Sequence, residues 1–179
     1  MFFKRKKRKE DNNNPTTKIS QSSRVSKDSI IGKYCYVGER CDITKSEIGN
    51  YVSIANNVSI GPGEHCLNKI STNSLFYETP YLNLTQGHCK IESDVWIGVD
   101  SIIRRGVTVG IGAVVGANSF VNSDVPDFAI VAGSPARIIG YRFNPACQKL
   151  ILDSEWWNLD IDDAKATQDK LYEVITKQS

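Results

Sequence analysis

Histidine and paired cysteine, the residues that most metal sites need, are scarce in this sequence. The 179 residues include two histidines, His65 and His88, and five cysteines, none of which belongs to a Cys-x-x-Cys pair. With so few ligands and no cluster of them, we expect no metal site. The odd number of scattered cysteines favours reduced structural thiols over a disulfide framework.

A long apolar segment is also missing. No run approaches the roughly 18 apolar residues that a membrane span needs. The sequence opens with Met-Phe-Phe and continues at once with six cations, Lys4 to Lys9, so the apolar core of a secretory signal does not follow. We therefore expect a cytoplasmic protein. Its length is that of one domain of ordinary size.

Charge is unevenly distributed along the chain. The six cations of residues 4–9 exceed the whole net charge of +2, so the remainder is mildly acidic. Such a charge block cannot bury enough surface to fold, which predicts a disordered basic tail over residues 1–18. The tail is either a solubilising segment or a peripheral contact with anionic lipid at the inner face of the plasma membrane. We expect no nucleic-acid partner.

Aliphatic residues recur with a period of six, which neither an α-helix nor a simple strand produces. One step, from Ile43 to Ile48, takes five residues. The series is Ile19, Val25, Ile31, Val37, Ile43, Ile48, Ile54, Ile60, and then Ile91, Ile97, Ile103, Val109, Val115, Val121.

This period predicts a triangular coil in which each six-residue unit forms one flat side. The residue four places after each aliphatic residue is small or β-branched, as at Val95, Ser101 and Val107, and it would fill the space beside a corner. Stacked turns would pair their strands in parallel. A β-sandwich is the alternative, but the turn signals that it needs every 8 to 12 residues are missing.

Two segments carry a family resemblance. I-G-K-Y-C-Y-V-G-E-R-C-D (31–42) and V-G-I-G-A-V-V-G-A-N-S-F (109–120) resemble the hexapeptide-repeat acyltransferases. The resemblance implies an all-β fold, a left-handed parallel β-helix over residues 19–143. The repeat stops after Gly61 and resumes at Ile91, so residues 64–90 should form an extended loop. Helical spacing from residue 144 predicts a C-terminal helical segment over 144–179, with Trp156 and Trp157 as anchors.

The loop contains the pattern H-x₅-S-T-x₃-F-Y, which resembles the xenobiotic and polysaccharide acetyltransferase branch of this family. The resemblance implies that His65 is the general base. It also implies acceptor contacts from Ser71, Thr72, Phe76 and Tyr77.

Two points about the histidines stay open in the sequence. His88 matches no family position and is read as a solvated loop residue. The group that orients the His65 imidazole is either a backbone carbonyl or a carboxylate. The candidate carboxylates are Glu64, Glu78, Glu92 and Asp94.

The second half resembles the segments that bind acetyl-CoA in this family. The relevant stretches are D-V-W-I-G (94–98), G-A-N-S (116–119), N-S-D-V-P (122–126) and V-A-G-S-P-A-R-I-I (131–139). Trp96 is alternatively a core residue, and Arg137 is alternatively a solvated cation. By this resemblance the cofactor-binding residues are Trp96, Gly98, Val99, Ala117, Asn122, Ser123 and Arg137.

The resemblance predicts an acetyl-CoA-dependent O-acetyltransferase that works as a homotrimer. A loop shorter than that of the drug-modifying enzymes favours a saccharide acceptor, such as a capsule, O-antigen or other envelope polysaccharide precursor. The alternatives are a chloramphenicol or streptogramin acetyltransferase, an N-acetyltransferase of a nucleotide amino sugar, and a non-catalytic binding protein.

Overall fold

Three parallel sheets form the faces of a triangular coil in the computed structural model, which describes residues 14–176. Sheet A contains, in spatial order, β1 (Lys18–Ile19), β4 (Tyr36–Val37), β7 (Ser53–Ile54), β10 (Trp96–Ile97), β13 (Val114–Val115), β15 (Ala129–Ala132) and β16 (Arg137–Tyr141). Sheet B contains β14 (Phe120–Val121), β11 (Ile102–Ile103), β8 (Ser59–Ile60), β5 (Asp42–Ile43) and β2 (Arg24–Val25). Sheet C contains β12 (Thr108–Val109), β9 (Cys89–Ile91), β6 (Ser46–Ile48) and β3 (Ile30–Ile31).

The period-six aliphatic residues form the core, as the sequence predicts. Equivalent residues stack from turn to turn, so that in sheet A Ile54 pairs with Val37 on one side and Ile97 on the other. From Val37 to Val121 every member of the series is buried, as are the small residues four places later, such as Ser101 and Ala113. Each buried valine or isoleucine contributes about 1.5–3 kcal/mol. The parallel β-helix is therefore confirmed.

A tight corner between two turns explains why the D-V-W-I-G segment ends in a glycine, Gly98. A Cβ atom on Gly98 would lie 2.6 Å from the backbone nitrogen of Ala117 in the next turn. Real Cβ atoms do not approach backbone this closely, so only glycine fits between these two turns.

The last part of the chain departs from the coil. Strand β16 returns antiparallel to β15, and α2 (Pro145–Ser154), a 3₁₀ turn (Trp156–Asn158) and α3 (Ile161–Thr176) follow. Trp156 and Trp157 are buried in a second apolar cluster with Phe128. The Tyr51 hydroxyl donates to the carbonyl of Leu159 at 2.8 Å, which joins this cluster to the coil. No helix within residues 14–176 has both the length and the apolarity to cross a bilayer.

The predicted tail needs a correction at its end. Thr17 is buried and its hydroxyl donates to the carbonyl of Gly32 at 2.7 Å, and Lys18 belongs to β1. Residues 16–18 therefore form part of the first turn, because the turn above supplies hydrogen-bond partners for them. Residues 1–13 of the predicted tail lie outside the described residues.

All five cysteines are free thiols, and four of them are buried in the folded chain. Burial raises the pKa values of Cys35, Cys41 and Cys89, because a buried thiolate loses its hydration. Cys66, which follows His65 in the loop, is partly exposed.

Candidate active site

The histidine loop leaves the coil after β8 and returns at β9. It contains a 3₁₀ turn (Ser74–Phe76) and the short helix α1 (Pro80–Leu84). The Asn73 side chain caps the 3₁₀ turn by accepting from the backbone N–H of Leu75 at 2.9 Å. The backbone N–H of Glu64 donates to the carbonyl of Leu84 at 2.8 Å, and this bond closes the loop at its neck.

His65 is exposed, and a backbone carbonyl orients its ring. The Nδ1 atom lies 2.5 Å from the carbonyl oxygen of Thr72. A carbonyl oxygen can only accept, so Nδ1 is the donor in this hydrogen bond, and in the neutral ring this tautomer has its lone pair on Nε2. The choice between carbonyl and carboxylate that the sequence left open is therefore resolved in favour of Thr72.

Two of the candidate carboxylates, Glu64 and Asp94, form ion pairs with arginines. Glu64 pairs with Arg104, at 2.6 Å from Oε1 to Nε and 2.9 Å from Oε2 to Nη2. Asp94 pairs with Arg142 at 2.9 Å. Burial raises the pKa of Asp94, and the Arg142 guanidinium opposes that shift only in part.

Tyr77 is buried beneath this part of the loop, where its ring centroid lies 6.2 Å from that of His65. Its hydroxyl donates to the carbonyl of Thr72 at 3.0 Å and accepts from the backbone N–H of Cys66 at 2.9 Å. This hydroxyl is engaged on both sides by the loop's own backbone. Tyr77 thus holds the loop together, and its contact with an acceptor stays a prediction.

The other predicted acceptor residues lie at the loop surface. Phe76 is 69% exposed, and Ser71 is partly exposed, with its hydroxyl accepting from the backbone N–H of Asn73 at 3.1 Å. The same loop exposes three further apolar side chains, which no motif marked in the sequence. These are Leu67, Ile70 and Leu75, all of which are strongly exposed.

The residues predicted to bind the cofactor fall into two groups. Trp96 is 56% exposed on the outer face of sheet A, which excludes the alternative of a core tryptophan. Gly98, Val99 and Ala117 follow at the corner between sheets A and B.

Asn122 and Ser123 form the second group. They follow β14 at the corner between sheets B and C. The loop leaves at this same corner, two turns away along the coil. Ser123 and Arg137 line one cleft of about 400 Å³ at the end of the coil. Arg137 is exposed, and its Nη1 donates to the carbonyl of Ala136 at 2.8 Å.

Within one chain, His65 and Trp96 belong to different sides of the coil. Each turn runs through sheets A, B and C in that order, so the corner between B and C lies opposite sheet A in the triangle. His65 belongs to that corner and Trp96 to sheet A. The two residues therefore start from opposite sides of the triangular coil.

The sequence was compared with known proteins to find its relatives. No family model matches the sequence. A chloramphenicol acetyltransferase of Klebsiella aerogenes is 35% identical over 144 residues, which cover 74% of this chain and 69% of that protein. A chloramphenicol acetyltransferase of Morganella morganii is 36% identical over 138 residues, 71% of this chain and 66% of that protein.

Among solved structures, a hexapeptide-repeat acetyltransferase of Vibrio cholerae, complexed with acetyl coenzyme A, is similar with a TM-score of 0.55 and 33% identity. The match covers 66% of this chain and 62% of that one. The chain belongs to the hexapeptide-repeat acetyltransferases. It spans about two thirds of the length of these relatives.

The acetyltransferase also contains residues that sequence reasoning missed. Arg104 and Arg105 follow β11 and contact Glu64 and Gly61, the residues on either side of Pro62 and Gly63 where the loop begins. Their positions in the repeat are those of ordinary solvated residues, and no motif marks them. Within residues 14–176 no cluster of three or more potential metal ligands occurs.

Proposed function

We propose that this protein transfers an acetyl group from acetyl-CoA to a hydroxyl group, with His65 as the general base. The hydrogen bond between His65 Nδ1 and the Thr72 carbonyl supports this role, because in the neutral ring it favours the tautomer with its lone pair on Nε2. The relatives named as acetyltransferases, and the similar structure that contains acetyl coenzyme A, support the donor.

The reaction needs only this one base. The acceptor hydroxyl gives its proton to Nε2 while its oxygen bonds to the thioester carbonyl carbon. The tetrahedral intermediate then collapses, the carbon–sulfur bond breaks, and the proton passes from Nε2 to the CoA sulfur. Throughout, the Thr72 carbonyl accepts from Nδ1 and stabilises the transient imidazolium. No cysteine is required as a nucleophile.

The acceptor proposed first is a saccharide hydroxyl of an envelope polysaccharide precursor, on the basis of the short loop. A second candidate is an amphenicol drug. Both curated relatives described above are chloramphenicol acetyltransferases. The exposed apolar side chains of Leu67, Leu75 and Phe76 around the loop also suit an acceptor with an aromatic ring.

We also propose that the enzyme works as a homotrimer. His65 and Trp96 lie on opposite sides of the coil, so a neighbouring chain is needed to bring one of each together. Exposed aromatic residues on sheet A, Tyr36 as well as Trp96, give that face an apolar surface for a neighbour.

The basic tail is proposed to bind anionic lipid at the inner membrane face. Residues Phe2 and Phe3 with the six cations that follow support this role, since each basic residue contributes on the order of 1 kcal/mol near an anionic surface. Deleting residues 1–10 should abolish salt-sensitive pelleting with phosphatidylserine vesicles and leave activity on a soluble acceptor unchanged. Full-length protein that stays in the supernatant at low salt contradicts the proposal.

Release of CoA thiol tests the activity. Purified protein is incubated with acetyl-CoA and a panel of acceptors: hexoses and oligosaccharides, chloramphenicol, a streptogramin, and a nucleotide amino sugar. We expect acceptor-dependent release and an O-acetyl product by mass spectrometry. The acceptor with the highest kcat/KM identifies the class. An absence of release with every hydroxyl acceptor, combined with N-acetylation of the amino sugar, contradicts the O-acetyltransferase proposal.

A further inference from the structure

Arg105 is a buried cation whose partners are all main-chain carbonyls. Its side chain is among the buried residues of the coil. Nη1 donates to Lys45 O at 2.7 Å, and Nη2 donates to Thr44 O at 2.6 Å and also to the carbonyl of Gly61. The Nε atom is buried with no partner among the described residues. One guanidinium thus holds three carbonyls, and Gly61 is the residue at which the loop leaves the coil.

The position of Arg105 follows from the irregular repeat. The step from Ile43 to Ile48 is one residue short, and it falls at the same corner at which the loop departs in the next turn. At this irregular corner the Thr44 carbonyl accepts from the Ser46 hydroxyl at 2.8 Å as well as from Arg105. The long Arg105 side chain, from one turn beyond Gly61, adds a donor for the carbonyls of both Thr44 and Gly61.

Arg104 contacts the other end of the same short segment. Its guanidinium forms a bidentate pair with the carboxylate of Glu64, the residue directly before His65. Only Pro62 and Gly63 separate the carbonyl that Arg105 binds from the carboxylate that Arg104 binds. Arg105, which points into the coil, and Arg104, which points outward, therefore fix the segment from Gly61 to Glu64 that leads into His65.

Both arginines are attached to a rigid part of the coil. The backbone N–H of Arg104 donates to the carbonyl of Val121 in the next turn at 2.9 Å, and the strand before it, β11, pairs on both sides. The contacts therefore link the loop neck to the regular β-helix. A base that is displaced by about 1 Å loses on the order of 100-fold in rate, so this link can control activity.

We propose that Arg104 and Arg105 are positioning residues that fix His65 relative to the coil. The inference rests on the proposed role of His65 as the base. An ion pair as exposed as that of Arg104 and Glu64 contributes little to stability. If the pair had a structural role alone, its loss should change neither kcat nor stability. If it positions His65, its loss should lower kcat while stability stays the same.

The first experiment is Arg104→Met in the full chain, assayed beside His65→Ala. We expect kcat to fall by about 10- to 100-fold, KM for acetyl-CoA to stay within about 2-fold, and the melting temperature to stay the same. The matched control is Arg24→Met, which breaks the exposed pair with Asp42 on the same sheet and should keep full activity. The exchanged pair, Glu64→Arg with Arg104→Glu, should recover much of the lost kcat.

The lone carboxylate of Glu64 beside His65 could itself affect the rate, and a double variant tests this. Arg104→Met with Glu64→Gln removes both charges. A kcat that stays low supports positioning, and a kcat that returns to the wild-type value overturns it.

Arg105→Lys tests the inner contact, because one ammonium cannot reach three carbonyls in the same geometry. We expect a lower kcat in protein that still folds, as judged by circular dichroism. Wild-type kcat in Arg104→Met or in folded Arg105→Lys overturns the positioning role. Wild-type activity in His65→Ala overturns the proposed function instead.

Discussion

His65 and Tyr77 bind the same acceptor, the carbonyl oxygen of Thr72, from Nδ1 at 2.5 Å and from the phenolic hydroxyl at 3.0 Å. The tyrosine also accepts from the N–H of Cys66, the residue next to the histidine. A change at Tyr77 therefore alters both the carbonyl that orients the imidazole and the backbone beside it.

Tyr77→Phe should lower kcat by about 10-fold, because the Thr72 carbonyl loses one of the two donors that fix it. The partly buried N–H of Cys66 also loses its acceptor, which should lower the unfolding free energy by about 0.5–1.5 kcal/mol. Steady-state kinetics and urea unfolding measure the two effects. Tyr172→Phe, at an exposed position of α3, is the control and should change neither. An unaltered kcat in a destabilised Tyr77→Phe would separate this tyrosine from the reaction.

His65→Ala should lower turnover by roughly 10²- to 10⁴-fold, the range for loss of a general base. Acetyl-CoA binding, measured by calorimetry, should be nearly unchanged. His88→Ala is the matched control: His88 is exposed and lies 4.0 Å from Glu47 in an exposed pair, so its variant should stay within a few-fold of wild type. Opposite results for the two histidines would reverse their assignment.

Mixed trimers test whether two chains share one site. His65→Ala and Trp96→Ala are each expected to lose most activity, because they remove opposite sides of the site. When the two variants are unfolded, mixed equally and refolded, about one quarter of the interfaces should combine an intact histidine with an intact tryptophan. Activity in the mixture should therefore rise above that of either variant alone. A mixture no more active than the mean of its components contradicts the shared site.

Asp94 should make the fold less stable as pH rises. Burial raises its pKa above the ordinary value of 3.8, so the folded state binds the proton more tightly than the unfolded state does. The stability that comes from the neutral carboxyl is fully present below pH 3.8 and is lost as pH rises through the raised folded value. Asp94→Asn should remove this component, and asparagine tolerates the left-handed backbone at this position, where φ is 60°.

Urea unfolding at fixed protein concentration, repeated between pH 3.5 and 7, measures the contribution of Asp94. The difference in unfolding free energy between Asp94→Asn and wild type should grow in favour of the variant as pH rises. Asp100→Asn is the control, since Asp100 also has a left-handed backbone, with φ of 61°, but is exposed. A difference that is constant with pH would contradict the prediction.

The core could be predicted from the sequence because each inward residue repeats the environment of the one below it. Ile54 and Ile97 occupy one stack although 43 positions separate them along the chain, since the loop between them leaves and returns at the same corner. The period of six expresses this stacking directly. The loop bounds follow from the interruption of the same period.

The surroundings of His65 could not be predicted in the same way. The Thr72 carbonyl is a main-chain atom, and every residue has one, so no letter of the sequence marks it. Glu64 was a reasonable candidate by adjacency, but Arg104, forty residues later, takes its carboxylate. Arg105 has the repeat position of a surface residue, yet its guanidinium is buried against the carbonyls of Thr44, Lys45 and Gly61.

The burial of the cysteines has a practical consequence for measurement. Cys35, Cys41, Cys89 and Cys147 are enclosed in the folded chain, whereas Cys66 is partly exposed. Reagents that report released CoA by colour react with any accessible thiol, and the folded enzyme should contribute about one reactive group per chain. A Cys66→Ser variant would lower this background and give a spectroscopically quiet enzyme for slow acceptors. Conversely, a rise toward five reactive groups per chain would signal unfolding during the assay.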